Sequence, residues 1–418
     1  MERLPGFRDF YPEPLPHSDV WSADVRNYLF DKWRNTARAF GFREYDGPPL
    51  EPLDLYTLKS GEEIVGQLYN FIDKGNRAVA LRPEMTPTLA RLVGAHERHY
   101  KKPVKWFSIP QLFRYERQQK GRLREHFQFN ADLLGETDPA ADAELIALLI
   151  SLLQACGLTP SDFVIRLSSR NAWHDYFARS SADPAREYEF YQVIDKLERA
   201  TPDESEAKLA ALGLSLDAVR HFIEAGQPTP ELSTIIQDLS ARGLAEFVKI
   251  DYNVIRGLAY YTGPVFEAFD RQGQFRAIAG GGRYDHLVGL ITGGKVQLPA
   301  AGFGLGDVVL TEIITQRRLL PKLEARLDAF CLIEDESIRR DSLRLIHELR
   351  QAGCAVDFPL APLKSDKQFK RALDSHAAYT LRLERSTHGE ISVRIKNLRT
   401  REENVASPAE VLPLLRLP

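Results

Sequence analysis

The residues best suited to phosphate chemistry are concentrated between positions 113 and 128. Five cations fall within eleven residues there: Arg114, Arg117, Lys120, Arg122 and Arg124. The segment is typical of a strand, a polar loop that turns at Gly121, and a second strand with Phe127, Phe129 and Leu133 on alternate positions. Arginine stays charged and offers forked donors that match phosphate oxygens, so the pattern predicts a hairpin that binds a polyphosphate. A solvated hairpin with surface arginines is the other interpretation.

Two segments together resemble one enzyme family. Residues 113–128 read Phe-Arg-x-Glu, a loop, and then Gly-Arg-x-Arg-Glu-x-x-Gln, which is similar to motif 2 of the class II aminoacyl-tRNA synthetases in its histidine-specific form. Residues 256–263, Arg-Gly-Leu-Ala-Tyr-Tyr-Thr-Gly, resemble a signature peculiar to the histidyl-tRNA synthetases, in which Asp usually stands at the place of Ala259. The resemblance extends over nearly the whole chain.

Three shorter matches follow in the expected order. Residues 81–86, Leu-Arg-Pro-Glu-Met-Thr, are similar to the family's Leu-Arg-Pro-Glu-x-Thr, and residues 280–285, Gly-Gly-Gly-Arg-Tyr-Asp, to its second histidine-specific signature. Pro48 lies where the family has its motif 1 proline, at a dimer interface. The resemblance therefore implies a symmetric homodimer.

The resemblance also implies roles for single residues in ATP binding. Arg114 would bind the α-phosphate and Glu116 the adenine end, with Arg122 and His126 also on the ATP side. Arg256 would stabilise the charge that develops on carboxylate and phosphate, which is an electrostatic role suited to a pre-placed cation. Arg114 and Arg256 are thus the expected catalytic residues.

A second set of residues is expected to bind histidine. Glu84 and Thr86 would hold the α-ammonium group, and Gln128 would contact the amino acid. Tyr260 and Tyr261 would line the imidazole pocket, because a hydroxyl can hydrogen-bond a ring nitrogen. Gly281, in the glycine triplet, would let the backbone approach the substrate closely.

The sequence departs from the family at motif 3. Val309 stands where class II enzymes carry an arginine that clamps the γ-phosphate, and Val308 stands at the place of a glutamate. Two hypotheses follow: an active synthetase of a divergent branch resembling plant organellar forms, or a non-catalytic paralogue that senses histidine as the regulatory subunit of ATP phosphoribosyltransferase. The retained site residues and a C-terminal domain favour the active enzyme. A pure RNA-binding module would not need an amino-acid pocket.

The expected reaction joins histidine to ATP, giving histidyl-adenylate, and then transfers the histidyl group to tRNA(His). ATP and Mg²⁺ are the expected cofactors, with no protein-held metal predicted. Scattered Cys156, Cys331 and Cys354 are typical of reduced thiols in a cytoplasmic protein, and no apolar run approaches the ~20 residues of a membrane span. The net charge of −3 does not exclude tRNA, since a local basic stripe suffices to bind phosphates.

These residues require elements that position them, and the sequence predicts an α+β protein of two domains. Residues 1–320 would form a class II catalytic domain with an antiparallel sheet and a helical insertion at about 161–245, and residues 326–418 an α/β anticodon-binding domain. Predicted helices cover 18–42, 86–95, 138–156 and 305–316. Predicted strands cover 68–72, 78–81, 104–109, 128–134, 262–269 and 275–279.

Overall fold

The computed structural model describes residues 2–12, 21–60, 62–115, 123–180, 183–256, 260–323 and 327–415. The chain divides into two compact units, Met1–Leu320 and Pro321–Pro418. Among the described residues, no helix has both the length and the apolar character needed to cross a bilayer.

The first unit mixes strands and helices along the sequence. Its strands are β1 Phe10–Tyr11, β2 Trp21–Ser22, β3 Arg43–Glu44, β4 Leu50–Pro52, β5 Asn70–Ile72, β6 Ala78–Leu81, β7 Val104–Ser108, β8 Gln111–Phe113, β9 Glu125–Leu134, β10 Phe163–Ser169, β11 Val248–Ile250, β12 Pro264–Asp270, β13 Ala279–Arg283 and β14 Ala300–Gly306. Its helices are α1 Ala23–Ala39, α2 Asp54–Ser60, α3 Thr86–His96, α4 Ala140–Ala155, α5 Arg170–Arg179, α6 Glu187–Lys196, α7 Pro202–Ala211, α8 Leu216–Ala225, α9 Pro230–Ala241, α10 Leu287–Ile291 and α11 Asp307–Gln316. Short 3₁₀ turns lie at Glu62–Gln67, Glu97–His99, Pro184–Arg186 and Ala245–Phe247.

One large sheet organises this unit. Its strands run in the order β11-β10-β12-β13-β14-β9-β7-β3, and β8 pairs with β9 beside this path. The pairs from β10 through β7 are antiparallel, whereas the outer pairs β10–β11 and β3–β7 are parallel. The expected α+β class with an antiparallel sheet is confirmed. A smaller antiparallel sheet has the order β4-β6-β5.

The two faces of the large sheet differ because side chains alternate along each strand. Phe129, Ala131 and Leu133 of β9 belong to the main hydrophobic core, together with Phe303 and Leu305 of β14. Helix α4 belongs to the same core, and Leu145, Leu148, Leu149 and Leu152 are fully buried in it. The intervening positions of β9 and β14 are polar or glycine, so the opposite face of the sheet is left for a site.

A buried charge cluster joins the N-terminal segment to this sheet. The Arg8 guanidinium donates from Nε to Glu125 Oε1 of β9 at 2.6 Å and from Nη1 to Asp307 Oδ2 of α11 at 2.8 Å. Asp307 also accepts from the backbone N–H of Phe127 at 3.0 Å. Burial raises the pKa of Asp307 to about 6, although Arg8 acts in the opposite direction. The N-terminal segment therefore supplies the counter-charge that two buried carboxylates need.

The helical insertion begins later in the sequence than expected. Residues 163–169 were included in the predicted insertion at 161–245, but they form β10 and pair along their whole length with β12 of the main sheet. The helices of this region run from Arg170 to Ala241, as α5 to α9. The strand Phe163–Ser169 directly precedes a long helical stretch in the sequence, and the prediction included both in the insertion.

Two boundaries near the glycine triplet were also wrong. The predicted strand at 275–279 is shifted to Ala279–Arg283, and the predicted helix at 305–316 is preceded by strand β14 over Ala300–Gly306. Glycine has a low intrinsic preference for strands, so neither Gly280–Gly282 nor the glycines of β14 gave a strand pattern. These strands form because their neighbours on both sides pair with them.

The second unit is a small mixed sheet with helices. It contains β15 Ala329–Leu332, α12 Arg339–Gln351, β16 Val356–Asp357, α13 Ser365–Asp374, β17 Tyr379–Arg385, β18 Ile391–Asn397, β19 Glu403–Ala406 and α14 Val411–Leu415. Single 3₁₀ turns lie at Glu336–Ile338 and Pro408–Glu410. The strand order is β16-β15-β17-β18-β19, with β15 parallel to both neighbours and the remaining pairs antiparallel.

The Arg8 cluster yields a stability prediction. Replacing Arg8 with Ala should lower the free energy of unfolding by about 3–5 kcal/mol, because it leaves Glu125 and Asp307 buried without a counter-charge. Urea unfolding followed by tryptophan fluorescence measures this change, since Trp21, Trp33, Trp106 and Trp173 all lie in the first unit.

Arg3 offers a matched control in the same segment. Its ion pair with Asp9 is half-exposed, so Arg3→Ala should cost less than about 1 kcal/mol. Equal effects of the two replacements would contradict the structural role assigned to Arg8.

Candidate active site

A cavity of about 880 Å³ opens on the polar face of the large sheet. Its walls come from β9, β13 and β14, from the turn before α3, from the start of α11, and from segments around positions 198, 256 and 275. The cavity gathers residues that are far apart in sequence, as a substrate site must.

Most of the predicted site residues meet in this cavity. The lining includes Glu84, Thr86, Arg114, His126, Gln128, Arg256, Tyr260 and Tyr261. Glu116 and Arg122, expected on the ATP side, lie outside the described residues. Gly281 is described but does not line the cavity, whereas Gly280 does.

The alternation of β13 explains the position of Gly281. Gly280 and Gly282 share the cavity face, so Gly281 points to the core face of the sheet. A Cβ atom at Gly281 would lie 2.2 Å from the carbonyl oxygen of Gly302 and 2.5 Å from Cβ of Phe303. Gly281 therefore allows close packing inside the sheet. Gly280, which lines the cavity, is the glycine at which the backbone can approach a substrate closely.

Arg114 is held by backbone contacts at the end of β8. Its own N–H donates to the carbonyl oxygen of Arg124 at 2.8 Å, and its Nε donates to the carbonyl oxygen of Pro83 at 3.1 Å. The second contact ties the guanidinium to the turn that carries Glu84. A cation and an acid are thus fixed relative to each other on one wall.

The turn at residues 82–86 is itself anchored by Arg82. This buried side chain donates to Asp46 Oδ1 at 2.9 Å, to the carbonyl oxygen of Gly47 at 2.7 Å, and to the carbonyl oxygen of Gln111 at 3.1 Å. Helix α3 begins directly after it at Thr86, with Pro87 in its first turn. Glu84 and Thr86 are therefore presented from a rigid turn.

Arg256 lines the same cavity and has an unusual backbone conformation. Its φ angle of 57° is in the left-handed region, which costs a non-glycine residue roughly 1–2 kcal/mol. The side chain forms an ion pair with Glu267 of β12 and lies 5.7 Å from the ring centre of Tyr261. Burial opposes the charge of Arg256, but Tyr261 and Glu267 raise its pKa above the ordinary value for arginine. Arg256 is a fixed cation placed before any substrate binds.

Three glycines of the cavity wall leave room for neighbouring side chains. A Cβ atom at Gly280 would lie 2.1 Å from Nη1 of Arg256, one at Gly302 would lie 2.1 Å from Oδ1 of Asp132, and one at Gly304 would lie 2.7 Å from Cδ of Gln128. A side chain at any of these positions would displace a functional group, so the glycines fix where the cation, the acid and the amide can lie.

Asp132 is a functional candidate that the sequence reasoning missed. It is buried in β9, on the same face as Gln128, and its Oδ1 accepts from the Tyr284 hydroxyl at 2.5 Å. Burial raises the pKa of Asp132 to about 7, with the Tyr284 hydrogen bond acting against this shift. Tyr284 lines the cavity directly. The alternation of polar and apolar residues over positions 128–133 was the signal that could have revealed Asp132.

The motif 3 region presents an apolar surface to the cavity. Val308 and Val309, in the first turn of α11, both line it and are almost fully buried. Two arginines not singled out from the sequence, Arg199 and Arg276, line the same cavity. The described part of the wall thus carries four arginines, with none contributed by α11.

Comparison with known proteins decides the family. The sequence profile described as histidyl-tRNA synthetase matches residues 18–306. A histidine–tRNA ligase of Opitutus terrae is 44% identical over 438 aligned positions, covering 100% of this chain and 98% of the relative. The chain belongs to the histidyl-tRNA synthetase family.

Other members of the histidyl-tRNA synthetase family extend this picture. The chloroplastic/mitochondrial histidine–tRNA ligase of Arabidopsis thaliana is 36% identical, covering 95% of this chain and 83% of that protein. The expected likeness to plant organellar forms is confirmed. A crystal structure of histidyl-tRNA synthetase from Nostoc has a TM-score of 0.76 at 21% identity and covers 97% of both chains.

The fold alone does not separate the two expected activities within this family. A structure described as an ATP phosphoribosyltransferase regulatory subunit/histidyl-tRNA synthetase from Bacillus halodurans has a TM-score of 0.70 at 22% identity, covering 88% of this chain. Sequence identity favours the ligase, because the relative that is 44% identical over 98% of its own length is a histidine–tRNA ligase.

Asp132 makes the stability of this histidyl-tRNA synthetase family member depend on pH. Its folded pKa of about 7 lies above its ordinary value of 3.8, so the folded protein holds a proton that the unfolded chain loses. The resulting stabilisation is complete below pH 3.8 and is lost as the pH rises to about 7. Asp132→Asn, which never ionises, should therefore gain stability relative to the wild type as the pH rises.

Thermal or urea unfolding of both proteins between pH 5 and 8 measures this difference. The relative gain should reach on the order of a few kcal/mol above pH 7. The contributions of the other titratable groups to the pH dependence of the free energy of unfolding are the same in both proteins and cancel in the difference. A relative stability that stays flat or falls with rising pH would show that Asp132 is ionised in the folded protein throughout.

Proposed function

We propose that the chain is a histidine–tRNA ligase that forms histidyl-adenylate in the cavity on the large sheet and then transfers the histidyl group to tRNA(His). The full-length 44% identity with a histidine–tRNA ligase carries this proposal. The meeting of Arg114, Arg256, Glu84 and Gln128 in one cavity supports it, because a histidine sensor has no need for two cations at a reacting phosphate.

The first step requires no protein nucleophile. A carboxylate oxygen of histidine attacks the α-phosphorus of ATP, a new C–O–P linkage forms, and the bond from that phosphorus to the bridging oxygen breaks as pyrophosphate leaves. Arg114 is assigned to the α-phosphate, and Arg256 to the charge that develops on the carboxylate and the phosphate; both line the cavity. The rate enhancement then comes from positioning and from charge stabilisation by groups that do not need to reorganise.

Histidine is proposed to bind with its two ends on different parts of the wall. Glu84 and Thr86 hold the α-ammonium group from the turn before α3, and Gln128 contacts the amino acid from β9. Tyr260 and Tyr261, with ring centres 4.7 Å apart, form the aromatic side of the imidazole pocket. Asp132 and Tyr284 complete its polar end, because a carboxylate and a hydroxyl can pair with imidazole nitrogens.

ATP is proposed to bind across the rest of the cavity. Arg114 and His126 line the cavity and are assigned to ATP. Glu116 and Arg122, which lie outside the described residues, are assigned to ATP from the sequence alone. Mg²⁺ is proposed to arrive with ATP, because this ion is held mainly by phosphates and water. Within the described residues no group of three or more acids, histidines or cysteines is placed to hold a metal.

The second unit is proposed to bind the anticodon of tRNA(His). A concave site of about 460 Å³ there is lined by Phe369 of α13 and by Arg382, Arg394 and Lys396 of β17 and β18. Single-stranded bases are bound by aromatic stacking and by polar contacts. Phe369 offers the first, and Arg382, Arg394 and Lys396, which pair with Glu334, Glu384 and Glu403, form the polar part together with Asp366. Hydrogen bonds from Arg394 and Arg382 lower the pKa of Glu384 to about 2, so this charge network stays ionised at physiological pH.

Two expectations remain predictions alongside this proposal. A homodimer is one; Leu50, Phe71 and Ile72 of the small sheet, which follows Pro48 in the chain, are exposed apolar residues at 38%, 51% and 63% accessible, of the kind that interfaces cover. A cytoplasmic location is the second.

Histidine-dependent exchange of labelled pyrophosphate into ATP tests the proposed function. The purified chain should catalyse exchange with histidine and not with other amino acids, and should charge tRNA(His). Histidine binding without exchange would overturn the ligase and favour the sensing paralogue.

The same assay tests Arg256. Arg256→Ala should reduce exchange by about a hundredfold or more, because it removes a pre-placed cation from the reacting phosphate. Arg256→Lys keeps the charge but loses the forked geometry, so it should retain an intermediate rate. Wild-type exchange in Arg256→Ala would refute the assignment.

A further inference from the structure

Besides the Mg²⁺ proposed to arrive with ATP and Arg122 from the motif 2 loop, a further protein cation can bind the phosphate tail of ATP, the role of the motif 3 arginine that Val309 replaces. Arg114 and Arg256 are both assigned to the reacting centre, and Arg256 already shares its charge with Glu267. The first turn of α11 offers Val308 and Val309, which contribute no charge. Among the described lining residues, Arg199 and Arg276 are the further arginines.

Contacts of the β12–β13 connection give the position of Arg276. β14 ends at Gly306 and α11 begins at Asp307, directly after the strand paired with β13. The connection lies against α11, since Gln316 Nε2 of α11 donates to Gln274 Oε1 at 2.8 Å. Arg276, two residues after Gln274, lines the same cavity as Val308 and Val309 in the first turn of α11.

The order of groups along these strands identifies that end. Asp132 pairs with Gly302, and Gly280, beside Arg256, pairs with Gly304, one step of two residues further along β14. Arg276 precedes Gly280 by four residues, in the connection that enters β13 at the end away from Asp132, so it lies at most about 13 Å from Gly280. The connection that carries Arg276 thus adjoins the Gly280 end of these strands and not the Asp132 end.

We propose that Arg276 binds the β- and γ-phosphates of ATP, supplying from the β12–β13 connection the positive charge that α11 lacks at Val309. This inference rests on the proposed function. Arg276 is exposed at the cavity rim, so its long side chain can reach the phosphates and its guanidinium can pair with them bidentately. Arg199 is the weaker candidate, because it lies in the helical insertion, whereas the connection that carries Arg276 contacts α11 through Gln274.

Steady-state exchange kinetics test the assignment. Arg276→Ala should raise the KM for ATP by roughly ten- to a hundredfold, as expected for loss of a charge-assisted contact, while the KM for histidine changes little. Arg199→Ala should have a smaller effect. Arg220→Ala is a control at an exposed arginine of α8 that does not line the cavity. An unchanged KM for ATP in Arg276→Ala, or a larger effect at Arg199, overturns the proposal.

Inhibition by fragments of ATP separates a phosphate contact from an adenine contact. Arg276→Ala should weaken inhibition by inorganic tripolyphosphate about tenfold or more and leave inhibition by AMP unchanged. Equal weakening of both would place Arg276 at the nucleoside and contradict the proposal.

The most specific test restores the lost positive charge from α11. In the Arg276→Ala background, Val309→Arg should recover most of the lost affinity for tripolyphosphate, because Val309 lines the same end of the cavity. Calorimetric binding of tripolyphosphate measures this directly, even if the wild type fails to exchange pyrophosphate. Absence of exchange would overturn the proposed function but would leave the Arg276 contact testable. Equal tripolyphosphate affinity in the wild type and in Arg276→Ala would overturn the Arg276 contact.

Discussion

The close approach of functional side chains to bare backbone is the constraint on which the site depends. Gly280, Gly302 and Gly304 lie on the cavity face of two adjacent central strands, and the space that their side chains would fill is taken by Arg256, Asp132 and Gln128. The other face of the same strands packs Phe303 and Leu305 into the core. One sheet therefore has a packed apolar face and an opposite face with few side chains, on which a substrate can lie. The glycines are held in the strands because each strand pairs with a neighbour on both sides.

Charged groups in and near this site are held by polar partners. The single cation Arg8 pairs with both Glu125 and Asp307, and Glu267 pairs with Arg256. Asp132, whose pKa is raised to about 7, has the Tyr284 hydroxyl as its hydrogen-bond partner. Buried groups of this kind are costly when unpaired, so each ion pair fixes a side chain as well as satisfying it. Arg256 keeps its charge in place before ATP arrives, which is the condition for electrostatic catalysis without reorganisation.

The sequence predicted those parts of the site whose residue types are chemically distinctive. Arginines, tyrosines and the acid in residues 81–86 identified the cavity lining, and the alternating pattern of β9 indicated a strand. It failed where the decisive property was the absence of a side chain: the strands at Gly280–Gly282 and Ala300–Gly306 were misplaced, and Gly281 was assigned in place of Gly280. Asp132 and Arg276 were missed because the folded chain, and not a sequence motif, brings them to the site.

We propose that the groups lining the cavity face of the sheet fix the order of the imidazole, the reacting phosphate and the phosphate tail. A crystal structure with a non-hydrolysable histidyl-adenylate analogue tests it most directly. We expect the imidazole beside Asp132 and Tyr284, the group that replaces the α-phosphate between Arg114 and Arg256, and the α-ammonium group at Glu84. An analogue bound elsewhere, or bound in this cavity with its imidazole at the Val309 end, would contradict the account.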